Sequence, residues 1–367
     1  MLRTIIFVLV LLVIISILLL IHFYLYRRIV SSFALSRTGW LLTAFFLLAL
    51  CFPLAMFLSR TVDGPLIRPF YGLAAAWFGF VFLGLGVFGM LHLAELLFRL
   101  ASHPLPPRVW GWASLWVTVL IGVYGIINAA VIRTTEATIG LKNFKEPKVT
   151  IALLTDIHVG AVYGPKYLQK IVDRTNALNP DLVAIAGDLF DGSAKPGYKL
   201  VQPLEKLQAP AFFVTGNHEI YEGIDITTAL VAKTGVRVLR NEAAECSGLQ
   251  IFGVDSPRGN SKNNPALLEL TAKLNRDKQK PSVLLYHIPL EIEDAQRSGI
   301  DLQLSGHTHN GQIFPFSLFI PLAYKFYSGY GQDGEFQIYV SPGVGTWGPP
   351  MRIGSRSEIV LITLVPQ

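Results

Sequence analysis

Five histidines fall in residues 141–367, and each stands beside another group able to hold a metal ion or move a proton. They lie in Asp156-Ile157-His158, Gly216-Asn217-His218-Glu219, Tyr286-His287 and Gly306-His307-Thr308-His309, with a carboxylate block, Gly187-Asp188, between the first two. Imidazole, carboxylate and amide oxygen together suit transition metals such as manganese, zinc and iron. A lone histidine is more often an ordinary core or surface residue. A series of such blocks, each closing on a histidine or an aspartate, reads as one metal site divided along the chain.

Short apolar strands precede these blocks. Residues 149–154 read as a buried strand ending at Asp156, 181–186 as a second ending at Asp188, and 211–214 as a third ending at Asn217. Residues 282–285 lead to His287, and 302–304 to His307. Residues 165–178 have helical patterning. Open α/β sheets carry their sites at the carboxyl ends of strands, where residues distant in sequence converge. Gly187, Gly216 and Gly306 are expected to let the backbone turn sharply beside the site.

The chain ahead of this domain differs in composition. Overall, 51% of the 367 residues are hydrophobic. Residues 1–140 hold 9 Lys+Arg and 3 Asp+Glu, a net of +6, whereas residues 141–367 hold 22 of each. The basic excess therefore flanks apolar runs, as in membrane proteins, and no nucleic-acid partner is expected. Runs at about 4–26, 39–59, 69–94 and 110–132 are each long enough to cross a bilayer core of about 20 residues. The expected organisation is a four-helix membrane anchor over 1–135, a linker over 136–147 and a catalytic domain over 148–367. Few acidic residues fall at mid-span depth, which disfavours a transporter. The short loops carry Arg27, Arg28, Arg37, Arg99 and Arg108 on one side, a slight lean toward an extracytoplasmic domain, although the basic residues after the last span oppose it. The two cysteines, Cys51 and Cys246, make neither a CxxC nor a zinc-finger spacing.

The ordered series of blocks resembles the calcineurin-like metallophosphoesterase family over residues 148–365, and Ser341-Pro342-Gly343-Val344-Gly345 with Arg352 and Glu358 is similar to its membrane-associated bacterial branch. A serine, Ser357, stands where that pattern has a proline. The resemblance implies an α/β/β/α sandwich of two mixed sheets with helices outside, in a bacterial cell membrane. It implies two divalent ions, Mn, Zn or Fe. Asp156, His158 and His309 would hold one, Asn217, His287 and His307 the other, and Asp188 would bridge them. Such a pair can lower the pKa of a shared water for attack on phosphorus. His218 would act on the leaving oxygen as general acid. Glu219 would orient His218 or sit solvated at a helix start. Asp191 would steady a ligand or cap a turn. Arg352 would contact phosphate or lie on the surface.

The run Ile313-Phe314-Pro315-Phe316-Ser317-Leu318-Phe319-Ile320-Pro321-Leu322 is too short to span. It is either core or an exposed patch that meets lipid. The expectation is a membrane-anchored phosphoesterase acting on a phosphodiester, pyrophosphate or phosphomonoester, with a lipid-linked substrate the favoured kind. The alternative is a non-catalytic metal-binding membrane signalling or scaffold protein.

Overall fold

The structure is a computed structural model that describes residues 2–62, 64–256, 269, 272–274 and 276–367. The chain divides into two compact units, Met1–Ile127 with Gly348–Met351, and Asn128–Trp347 with Arg352–Gln367.

Among the described residues, four helices are long and apolar enough to cross a membrane. They are α1 (Leu2–Phe33), α2 (Gly39–Thr61), α3 (Ile67–Leu100) and α4 (Pro107–Ala130). α1 and α3, at 32 and 34 residues, extend beyond the apolar runs of the sequence. A helix rises about 1.5 Å per residue, so both exceed a bilayer core. Their additional turns are polar: Arg28 of α1 pairs at 2.6 Å with Glu95 of α3, and Arg99 pairs with the same carboxylate at 2.6 Å. Leu25, Tyr26, Phe45, Val81 and Phe88 pack together in this bundle.

Among the described residues, the second unit holds two six-stranded mixed sheets. The first contains β1 (Ile132–Leu141), β12 (Ser357–Pro366), β2 (Val149–Leu154), β3 (Leu182–Ala186), β4 (Ala211–Val214) and β5 (Arg237–Val238), in that spatial order. The second contains β10 (Gly329–Asp333), β11 (Phe336–Val340), β9 (Leu302–Ser305), β8 (Ser282–Tyr286), β7 (Leu249–Val254) and β6 (Glu242–Cys246). Within them β2, β3 and β4 run parallel, as do β7, β8, β9 and β11.

Strand residues alternate between faces, and here both faces are covered. Ile151, Leu153, Leu182 and Ala184 pack with Ile251, Val283, Leu285, Leu302 and Leu304 of the other sheet. The intervening Ala152, Leu154, Val183 and Ile185 meet Leu168, Ile171 and Val172 of helix α5 (Pro165–Ala177). Those helical positions recur at the spacing of one helix face, and Pro165 opens the helix where no intrahelical N–H is required. The outer face of the second sheet buries Phe252, Leu284, Tyr286, Ile338 and Val340 against Ala295 and Ile300. This is the expected α/β sandwich.

The expected linker over 136–147 is corrected. Residues 136–141 belong to β1, an edge strand paired in parallel with β12 from Ile132↔Ser357 to Leu141↔Pro366. Only Val131 separates α4 from β1. The edge position explains the weak signal, because β1 mixes buried Ile132, Ile139 and Leu141 with exposed polar residues.

Candidate metal centre

Every expected site residue except Arg352 lies in a segment that follows a parallel strand. Asp156 and His158 follow β2, and Asp188 and Asp191 follow β3. Asn217, His218 and Glu219 open helix α6 (Asn217–Glu222) after β4. His287 follows β8, and His307 and His309 follow β9. The β2–β3 ladder continues past the strands: the Asp156 N–H donates to Gly187 O at 3.1 Å, and the His158 N–H to Asp188 O at 3.1 Å. A cross-sheet bond joins the halves, with His287 Nδ1 at 2.8 Å from Ala186 O, the last residue of β3. Only a protonated Nδ1 can donate there, which leaves the Nε2 lone pair free.

The backbone here is held in an unusual conformation. Asp156 (φ 50°), His158 (54°), Asp188 (51°), His307 (73°) and His309 (49°) are all left-handed. That region costs a non-glycine residue about 1–2 kcal/mol, and clusters of it mark functional sites held by their surroundings. The glycine expectation holds only at Gly187, with φ 84°. Gly216 and Gly306 serve close approach instead: a Cβ at Gly216 would collide with Asp188 Oδ1, and one at Gly306 with Thr155 Oγ1 and Asp156 Oδ2.

Among the described residues, three overlapping groups of potential ligands result: Asp156, His158 and His309; Asp188, His287 and His307; and His158, Asp188 and His218. Within each, the ligand atoms lie within 4.8 Å of one another. His309 Nε2 lies 3.1 Å from both Asp156 Oδ1 and His158 Nε2. Backbone and side-chain donors steady the carboxylates. The His218 N–H donates to Asp188 Oδ1 at 2.9 Å, the His307 N–H to Asp156 Oδ2 at 3.0 Å, and Thr155 Oγ1 to Asp156 Oδ2 at 2.7 Å.

Most of these groups are pushed toward the forms that bind metal, neutral imidazole and ionised carboxylate. Burial pushes His158 and His307 down to about 4, helped by neighbouring imidazoles. It also lowers His309. Burial would raise Asp156 and Asp188, but His309 and His158 beside the first, and His287 beside the second, hold both below the usual carboxylate range. His287 is the exception: Asp188 and Asp156 outweigh its burial and raise it to about 10.

His218 is placed differently from the buried ligands. Its Nδ1 lies 2.9 Å from Asp191 O, its Nε2 is 3.9 Å from Asp188 Oδ2, and its side chain is partly exposed. It lines a cavity of about 410 Å³ together with Asp188, Asn217, His307 and His309. The rest of its lining is mostly apolar and includes Phe316, Ile320, Tyr324 and Trp347. Trp347 stands outside the ligand blocks of the sequence; the signal that marks it is a tryptophan in the glycine- and proline-rich run Gly345-Thr346-Trp347-Gly348-Pro349-Pro350. The Gln312 side chain pins its backbone, donating to Trp347 O at 3.0 Å and accepting from Trp347 N at 3.1 Å. The 313–322 run is not core. Phe314, Phe316, Leu318, Phe319 and Leu322 are exposed, and only Ile313 among its large side chains is buried.

Two further expectations, for Glu219 and Arg352, are corrected, and of the two roles expected of Asp191 the turn cap is the one seen. Glu219 is fully buried and its carboxylate does not bond the His218 ring; it accepts from the N–H groups of Asp188 (3.0 Å), Phe190 (3.1 Å) and Gly216 (2.6 Å), tying the β3 and β4 loops together. The Asp191 carboxylate takes the Ser193 N–H and hydroxyl, so it caps a turn while its backbone carbonyl orients His218. Arg352 is neither on the surface nor at the cavity; it is fully buried behind His309.

The donor set fits divalent ions. Asn217 Oδ1 and His287 Nε2 are buried without a hydrogen-bond partner, an arrangement rare unless a further group completes it.

The profile of calcineurin-like phosphoesterases matches residues 149–311. An uncharacterized metallophosphoesterase of Campylobacter jejuni is 32% identical over 355 residues, covering 93% of this chain and 94% of that protein. One of Helicobacter pylori is 38% identical over 226 residues, 60% of this chain, and the match spans 61% of that protein's length. A transmembrane protein with metallophosphoesterase domain from Danio rerio is 34% identical over 269 residues, covering 68% and 62% of the two chains. With this ligand-like cluster at the ends of its parallel strands, the chain belongs to the calcineurin-like metallophosphoesterase family.

Proposed function

We propose that this protein is a membrane-anchored, dinuclear metal-dependent phosphoesterase hydrolysing a phosphodiester, pyrophosphate or phosphomonoester. The observation that carries the reading is the sharing of Asp188 between ligand groups contributed by both sheets. Asp156, His158 and His309 would hold one ion, Asn217, His287 and His307 the other, and Asp188 both. Two bound divalent ions supply an acidified water and neutralise charge on a phosphoryl group. The protein's own residues do the positioning. Ala186 O fixes the His287 tautomer, and Glu219 fixes the loops that carry Asp188 and Asn217. Asp191 O accepts from His218 Nδ1–H, so Nε2 is the atom that would carry the second proton of the imidazolium form and give it to the leaving oxygen.

The apolar wall of Phe316, Ile320, Tyr324 and Trp347 supports a lipid-linked or otherwise amphipathic substrate. The short-loop arginines support an extracytoplasmic domain in a bacterial membrane. The test is a turnover screen of purified protein loaded with manganese, zinc or iron, offered aryl phosphodiesters, nucleotides and phospholipids. Turnover that requires the metal and disappears in Asp188→Asn is expected. Two bound ions without turnover on any of these would favour a non-catalytic role.

A further inference from the structure

We infer that Arg352 is a positioning residue that sets the Asp156–His158–His309 half of the centre, and that Asn128 holds Arg352 in place. The inference rests on the metal-centre reading and goes beyond it, because Arg352 touches neither the cavity nor a candidate ligand atom facing it.

A buried guanidinium is costly unless its charge and donors are satisfied. Arg352 is fully buried, and among the described residues no carboxylate pairs with it. Backbone carbonyls supply most of its acceptors. Nη2 donates to Pro342 O at 2.6 Å, Gly345 O at 2.5 Å and Gly343 O at 3.2 Å, while Nη1 reaches Ser355 Oγ at 3.1 Å and His309 O at 3.4 Å. Nη2 also lies 3.3 Å from His309 Nδ1, on the ring edge away from Nε2. The guanidinium thus joins His309 to the Pro342–Gly345 loop.

That loop lies directly against the backbone of the first block. The Gly345 N–H donates to Asp156 O at 2.8 Å and the Val344 N–H to Thr155 O at 3.0 Å. Gly343 is left-handed, φ 88°, and a Cβ there would stand 2.5 Å from Asp156 Cβ. Arg352 therefore braces two strained residues of one ligand group, Asp156 and His309, through their main chains. The Asn217, His287 and His307 group is held by other bonds, to Ala186 O among them. On the opposite side, Asn128 in the last turn of α4 donates to Arg352 O at 3.0 Å and Ser355 O at 2.9 Å. Asn128 is itself buried, so these bonds are not exchanged with water.

The test is binding of Mn²⁺ alone to full-length protein, measured by competition with a chelator, beside thermal melting of the metal-free form. Wild type is expected to bind two ions in separable steps, and His158→Ala identifies the step belonging to the Asp156 side. Arg352→Lys keeps the charge but cannot reach both the loop and His309. It should weaken that step about 10–100-fold, the usual loss when a ligand's support is removed, and leave the other step unchanged. Asn128→Ala should weaken the same step by less. Equal loss at both steps, or wild-type binding in Arg352→Lys, overturns the inference. Should Arg352→Lys fail to fold, Asn128→Ala decides: selective weakening supports the assignment and wild-type binding overturns it. Wild type binding fewer than two ions overturns the centre itself and this assignment with it.

Discussion

His287 Nε2 and Asp188 Oδ2 lie 3.1 Å apart, contributed by strands of different sheets, yet Nε2 makes no aligned hydrogen bond. The bond that orients the ring is on its other side, to Ala186 O. An imidazole and a carboxylate brought this close, buried and left misaligned have the character of two ligands and not of an ion pair. His309 Nε2 stands as close to Asp156 Oδ1, at 3.1 Å, and is also 3.1 Å from His158 Nε2.

Asp188→Asn and Glu219→Gln should fail in different ways. The first keeps shape but removes the charge proposed to be shared by two cations; metal binding and turnover should be lost while the metal-free melting temperature changes little. The second puts an NH₂ where three backbone N–H groups need acceptors. At least one buried donor is then unsatisfied, costing about 1–3 kcal/mol, so the metal-free protein should melt at lower temperature. Calorimetry and metal analysis separate the two; a wild-type melting temperature in Glu219→Gln would show that Glu219 does not brace the loops.

His218→Ala should retain both ions and lose about 10²–10⁴-fold in turnover, the usual range for a general acid. The loss should shrink on substrates such as nitrophenyl esters, whose leaving group needs no proton. Equal loss on good and poor leaving groups would remove His218 from that role.

Phe316 and Trp347 are exposed and line the cavity, so replacing them should cost little stability, within about 0.5 kcal/mol. Phe316→Ser with Trp347→Ala should lower activity on a lipid-linked phosphoester and nearly spare a soluble aryl diester. Phe319 is exposed but does not line the cavity, and Phe319→Ser should have the smaller effect. Parallel loss on both substrates would argue against an apolar subsite.

The ligand blocks were legible because each is a short polar signature at the end of an apolar strand, and strand ends converge in any open parallel sheet. Residues whose role depends on burial were not. Glu219 reads as a solvated helix-start carboxylate until the β3 and β4 loops close over it, and Arg352 reads as a surface or phosphate-binding arginine until the Pro342–Gly345 loop wraps it. β1 was hidden for a different reason: its partner β12 lies at the far end of the chain, and one exposed edge leaves few apolar residues to mark it.

The most direct test of the central claim is the metal content of purified, metal-loaded protein, set beside its thermal melting with and without metal. Two ions per chain are predicted, with a melting temperature that falls on chelation, since a ligand at 100 times its Kd stabilises by about 2.7 kcal/mol. Fewer than one ion per chain, in protein that melts cooperatively, would contradict the dinuclear centre.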